Sequence, residues 1–167
     1  STDSTTGEVS VIGGGGLIMD TTDDTVTVDE RFTFNSYGSS LSAGTLNLHG
    51  DLNVLGTGNY CFAPSSTNFQ TVFSEKDIPE VHFESVSRGF SRSTVHFKTG
   101  KVRFTGEASG FTLEEDVEIT EAMPSINGTI DLNGHTLTMD ETFRQPSGTI
   151  TVNKGTLHCK KDYDISS

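Results

Sequence analysis

This chain of 167 residues has little of what fills an ordinary globular core: apolar residues make up 32% of it, and tryptophan is absent. No run approaches the ~18 consecutive apolar residues that cross a bilayer as a helix, and long helical periodicity is nearly missing. Basic residues are few, 11 Lys and Arg against 23 Asp and Glu, and the net charge of −12 argues against wrapping nucleic acid or lying on an anionic membrane. The same charge favours a monomer that resists self-association. The two cysteines, Cys61 and Cys159, lie far apart with no CxxC or Cys/His spacing for zinc. They read as two buried free thiols, with Cys159 inward beside Leu157 in the alternation; a disulfide would need their Cα atoms within ~7 Å. The amino terminus, STDSTTGEVS, carries no signal-peptide pattern. We expect one domain over residues 1–167, cut from a longer modular protein.

What the chain does have is alternation of period two in short bursts: Val9 and Val11, Val26 and Val28, Phe32 and Phe34, Val81 and Phe83, Val95 and Phe97, Val102 and Phe104, Val117 and Ile119. Each burst buries two side chains on one face and turns the intervening ones outward. Val, Ile, Thr and Phe suit strands, and Gly, Asn, Asp and Ser fill the gaps as turn residues. The stretch Leu113 to Met123 is the best helical candidate, but Phe111, Leu113, Val117 and Ile119 share one parity, and it reads as strand.

The cadence of GTLNLHGDLNVLG from Gly44 returns as GTIDLNGHTLTM from Gly128 and as GTITVNKGTLHC from Gly148. A hairpin meander has no reason to repeat a whole motif at a fixed interval, whereas a coil that winds one rung and stacks on the next does. The spacing therefore predicts an all-β, parallel β-solenoid of about six or seven irregular coils with little or no helix, its core a thin column. In the first motif Leu46, Leu48, Leu52 and Val54 point in, Asn47 and Asn53 point out, and His49-Gly50-Asp51 bends the chain. Gly and Asn at such corners supply left-handed backbone. The central residues 57–127 are expected to carry longer loops than the C-terminal end.

The segment INGTIDLNGHTLTMDETFRQPSGTITVNKGTLHCKKDYDI resembles repeat units of large Firmicutes-type bacterial surface or exported β-solenoid proteins of filamentous-adhesin-like type. The segment from Ser36 that ends in VHFES, Val81 to Ser85, resembles a companion unit of similar proteins. Asp140-Glu141-Thr142 and Lys160-Lys161-Asp162 depart from the usual turns of those units. The resemblance covers about residues 31 to 165. It implies a right-handed parallel β-helix in a modular cell-surface or secreted protein, and it brings no catalytic residue.

Parallel β-helices also carry pectin-cleaving enzymes, which converge carboxylates on one outer face, often with calcium, beside a basic residue that moves a proton. The acid clusters here, Asp20 with Asp23 and Asp24, and Glu114-Glu115-Asp116 with Glu118, lack calcium-loop spacing and read as surface charge. His82, His96 and His158 face outward, with no third ligand in view for a metal. The run Gly13 to Gly16 precedes no Lys-Ser/Thr, so it marks a turn or cap and not a phosphate loop. Asn127-Gly128-Thr129 matches a glycosylation acceptor but reads as a β-turn. Outward Thr129, Thr149, Thr151 and Thr156 are scattered among Asn, Asp and Lys, unlike the flat threonine face of an ice-binding solenoid.

One charge segregation stands out. Residues 85 to 106 contain no Asp or Glu, yet hold Arg88, Arg92, Lys98, Lys101 and Arg103, with His96 among them. Such a strip suits an acidic glycan or a wall polymer. The next coil is rich in Glu, so stacking would equally lay Lys and Arg beside carboxylates as an internal ladder. The expected role is a non-catalytic structural or adhesin-like module, extracellular or at the cell surface, without cofactor or metal. The alternatives are carbohydrate binding on a lateral face and a polysaccharide lyase or hydrolase. Expected partners are a glycan, a cell-wall polymer or other domains of the same chain.

Overall fold

The computed structural model describes the backbone of residues 2–5, 7–56, 62–85, 89–123, 126–144 and 148–164. Every strand pairing in it is parallel, and no helix occurs among the described residues. The chain winds as a β-solenoid of about seven turns. The first layer holds β1 (Thr2–Thr5), β2 (Val9–Gly13) and β3 (Ile18–Met19); the second β4 (Thr25–Val28), β5 (Phe32–Ser36) and β6 (Ser40–Leu41). The third has β7 (Gly44–Leu48) and β8 (Leu52–Val54), the fourth β9 (Phe69–Phe73) and β10 (Glu80–Phe83), the fifth β11 (Thr94–Phe97) and β12 (Lys101–Gly106). The sixth has β13 (Ala108–Thr112) and β14 (Val117–Ile119). The seventh brings β15 (Ile126–Asp131), β16 (Thr136–Met139) and β17 (Phe143–Arg144), and the last β18 (Thr149–Thr151), β19 (Thr156–Cys159) and β20 (Tyr163–Asp164).

One sheet runs the length of the column, in the order β2-β5-β8-β10-β12-β14-β16-β19. A second face is built from β1-β4-β7-β9-β11 and, after a break in the ladder, β13-β15-β18. The third face is short: β3 pairs with β6 near one end and β17 with β20 near the other. The length of chain spent on each turn is not constant. On the long sheet the stretch from Leu52 to its partner Val81 is the longest, and that from Val102 to Ile119 the shortest. The stretch from Leu137 to Leu157 lies between them.

The bursts do what their parity requires. Leu46, Leu48, Leu52 and Val54 are 0–1% exposed, and the corner between them turns at His49-Gly50. Gly50 is demanded by close approach, since a Cβ there would sit 1.7 Å from the Glu30 carbonyl oxygen. All eleven phenylalanines are buried, and Phe62 and Phe90 fill the column where the third face has no strand among the described residues. Phe90 meets Phe62, Phe73, Phe83 and Phe97 with ring centroids 5.6–6.5 Å apart, edge to face, an arrangement that aromatic quadrupoles prefer.

Several expectations are refined. Leu113 to Met123 is not one strand: β13 ends at Thr112, the chain bends at Glu114-Glu115, and β14 starts at Val117. Asn127-Gly128-Thr129 is no turn. It lies inside β15, where Gly128 takes a φ of +126° and the register with β13 shifts as in a bulge. The glycine run does turn the chain: the Gly15 amide donates to the Ile12 carbonyl, and Gly16 packs so close to Gly38 that a Cβ would come within 2.2 Å of its carbonyl oxygen. Cys159 is a free, half-buried thiol in register with Met139, and burial pushes it above the ordinary thiol range. Cys61 lies outside the described residues.

Candidate binding hollow on the long sheet

Neighbouring parallel strands lie about 4.8 Å apart, so outward side chains at matching positions of successive layers form rows. The basic strip belongs to several of these rows at once. Arg103 projects from β12 between two carboxylates, contacting Glu80 of the layer before and Glu121 at 3.3 Å. The hydrogen bond to Glu121 and the charge of Glu80 hold its guanidinium above the ordinary arginine range. Lys101 stands 4.0 Å from Glu118. His96 is on the other face, on β11, with Nδ1 3.2 Å from Glu115. Lys98 is exposed at the corner between those faces, and Arg92 is exposed ahead of β11. Arg88 lies outside the described residues. The strip is therefore not one continuous surface, and three of its members are paired with acids of adjoining layers.

The acid clusters have local work as well. The Asp24 carboxylate accepts the backbone N–H groups of Asp20 and Thr21, 3.0 and 3.1 Å away. The backbone bond from Thr21, then that from Asp20, are the largest of the influences that hold it below the usual carboxylate range. Asp116 accepts the Thr136 N–H at 2.8 Å. Glu118 meets Lys160 as well as Lys101. The two departures from the repeat pattern form a matched set: Lys160 is 2.7 Å from Asp140, and Lys161 pairs with Glu141. His82 and His96 sit on different faces with different partners, Thr105 and Glu115. Among the described residues no group of three or more His, Cys, Asp or Glu side chains could hold a metal ion.

One hollow, of about 300 Å³, lies among these residues, lined by Asp116, Glu118, Thr138, His158 and Lys160; two others lie nearer the N-terminal end. A hollow of about 350 Å³ opens on the long sheet, lined by Arg31, Asp51, Leu52, Asn53, Leu55, Glu80 and His82. A second, of about 390 Å³, adjoins it through Arg31 and Asp51 and reaches Glu8, Asp29, Glu30, His49 and Lys76. The corner at residues 74–79, in the longest turn of the sheet, has more chain than the corner at residues 49–51 below it. From that longer corner Lys76 reaches back to Asp51, with Nζ 2.7 and 2.8 Å from its two oxygens. Asp51 also accepts the Glu80 N–H at 2.7 Å, which fixes the rim. Glu80 contacts Arg103 and accepts from the Thr105 hydroxyl at 3.1 Å. His82 uses Nδ1 on Thr105, 3.0 Å away. His49 stands 2.9 Å from Asp29 and 3.6 Å from Glu75.

Comparison with protein families, with curated proteins and with solved structures returned no match.

Sequence reasoning missed Arg31, Asp51 and Glu80 as a set. A signal existed: Glu8, Arg31, Asp51, Glu80 and Arg103 each immediately precede an inward residue, and those inward residues, Val9, Phe32, Leu52, Val81 and Phe104, stack in register. The unequal turn lengths hide that column until the register is known.

Proposed function

We propose that this chain is a non-catalytic structural, adhesin-like module of a secreted or cell-surface protein. The observation that carries the reading is the pairing of outward charges from layer to layer: Arg103 with Glu80 and Glu121, Lys76 with Asp51, Lys160 with Asp140 and Glu118, Lys161 with Glu141. Such rows brace adjacent coils, and a continuous apolar column holds them from inside. Asp51 and Glu80, the carboxylates on the wall of the first hollow, are engaged by Lys76 and Arg103, which argues against their serving as a proton-transfer pair. Resemblance of the repeats to bacterial surface solenoids supports the location. The test is incubation with acidic and neutral polysaccharides while unsaturated products and new reducing ends are followed. Neither is expected; sustained release of either would replace this reading with a lyase or hydrolase.

A second reading, carbohydrate binding on a lateral face, is favoured by the concavity around Arg31 and not by the basic strip, whose cations are partly occupied.

A further inference from the structure

We propose that the hollow between the second and fourth layers binds a neutral oligosaccharide, with Arg31, Asn53 and His82 as its principal contacts. This rests on the lateral-face reading above and assigns it a place and a ligand class. Three observations carry it. The first is size: 350 Å³ falls within the roughly 300–1,000 Å³ range of small-ligand sites. The lining comes from three successive layers, a span of about 10 Å, the reach of a disaccharide.

The second is hydrogen-bonding capacity left over. Among the described residues, the Arg31 guanidinium, the Asn53 side-chain amide and His82 Nε2 have no protein partner, although all three residues line the hollow beside engaged carboxylates. Asp51 and Glu80 keep further lone pairs, since each carboxylate offers about four acceptor positions. The wall thus presents donors and acceptors together. A sugar hydroxyl both donates and accepts, so vicinal hydroxyl groups match such a set, while half-buried Leu55 offers apolar surface to ring C–H groups.

The third is charge. The two hollows are lined by Glu8, Asp29, Glu30, Asp51 and Glu80 against Arg31 and Lys76, on a molecule of net charge −12. A polyanion is repelled there; a neutral chain is not. Asn53, Glu80 and His82 stand on paired parallel strands, and Arg31 and Asp51 immediately precede β5 and β8, where the Arg31 and Asp51 carbonyls accept the Val9 and Phe32 amides.

The experiment is an NMR titration of the whole chain with neutral tetrasaccharides of glucose, xylose, mannose and galactose, and with trigalacturonate. At least one neutral tetramer is expected to shift the signals of Arg31, Asn53 and His82. Arg31→Ala and Asn53→Ala should each weaken that binding at least fivefold with an unchanged thermal midpoint, while Arg92→Glu with Lys98→Glu leaves it intact. Tighter binding of trigalacturonate than of every neutral tetramer would overturn the ligand class. Binding that ignores Arg31→Ala but is lost in the Arg92/Lys98 variant would overturn the place and leave the lateral-face reading standing. No binding by any of the five sugars would sink both.

Discussion

The middle of this solenoid and its C-terminal coils solve the same packing problem in different ways. From the third to the fifth layer the turns are long and uneven. The stretch from Leu52 to Val81 exceeds that from Val81 to Phe104, and both exceed the stretch from Leu137 to Leu157. The third face has no paired strands in the middle among the described residues, and Phe62, Phe69, Phe73, Phe83, Phe90, Phe97 and Phe104 fill the lumen. From Val117 onward the turns become equal, Val117 pairing with Leu137 and Leu137 with Leu157. There β17 and β20 supply a third side, and the buried set is mostly aliphatic, Ile126, Ile130, Leu132, Leu137 and Met139, with Phe143 the one fully buried ring among the described residues of these coils. An irregular outline leaves more interior to occupy, and a close-packed interior tolerates no void. Large aromatic side chains are thus the counterpart of the irregular loops. The lateral hollow also belongs to the uneven part, where a longer corner raises its rim.

The sharpest way to break this contrast is to empty the middle. Phe90→Ala removes a ring that touches four others and should cost about 4 kcal/mol. Leu137→Ala lies against half-buried Leu157, where neighbours have more freedom to collapse, and should cost about 2–3 kcal/mol. Urea unfolding followed by circular dichroism measures both. A larger loss for Leu137→Ala would mean that the C-terminal coils, not the aromatic middle, carry the stability.

The middle also contains a defect. Thr71 stacks inward between Leu46 and Val95, is fully buried, and its hydroxyl has no partner. Unpaired buried polar groups cost about 1–3 kcal/mol. Thr71→Val keeps the shape and removes the hydroxyl, so the urea midpoint should rise by an amount equivalent to about 1–2 kcal/mol. A fall would show that the hydroxyl is bonded and that the aromatic column is already optimal.

The two regions also differ in how far the sequence discloses them. In the C-terminal coils the repeat is visible because Ile130 and Ile150, Leu137 and Leu157 recur in similar surroundings, and they pair in that register. In the middle the inward residues were legible as bursts, since parity is a local property, but the register was not: nothing near Leu52 says that its partner is Val81. Rows that depend on register were invisible for that reason: Asp51 read only as part of a bend, and nothing singled out Arg31 or Glu80. The basic strip failed as a single surface on the same ground, because the corner at Lys98 to Gly100 turns His96 onto one face and Arg103 onto another. Thr71 shares the parity of Phe69 and Phe73, so its inward place is a local property too, but that its hydroxyl finds no partner depends on the layers packed against it.

Regular coils carry a smaller irregularity of their own. The corner Asn133-Gly134 becomes Asn153-Lys154 one turn later, and Lys154 keeps a left-handed φ of 67° where Gly134 has 85°. A side chain in that conformation costs about 1–2 kcal/mol, partly offset by the greater freedom that glycine loses on folding. Lys154→Gly should therefore stabilise by about 0.5–1 kcal/mol, read as a higher urea midpoint. No gain would mean that the last corner relaxes without glycine and is less constrained than its neighbour.

The smallest effect concerns charge in those same coils. Lys160, hydrogen-bonded to Asp140, holds that carboxyl below its ordinary value, and Asp140 in turn raises the Lys160 ammonium. A carboxyl lowered by folding stabilises the protein above its unfolded value, about 4, and the contribution fades as pH falls through the folded one. An amine raised by folding stabilises below its unfolded value, about 10.4, and the contribution fades as pH climbs through the folded one. The pair should therefore act between about pH 5 and 10. Asp140→Asn is expected to melt slightly below the natural chain in that window and to converge with it in acid. Because Lys160 is exposed and Asp140 half-buried, 1 M salt should narrow the gap by screening without closing it. Thermal melts at pH 7 and pH 3 decide the matter: a gap that persists undiminished at pH 3 would mean that Asp140 holds the corner by shape and not by charge, and layer-to-layer pairing would then be no brace for the regular coils.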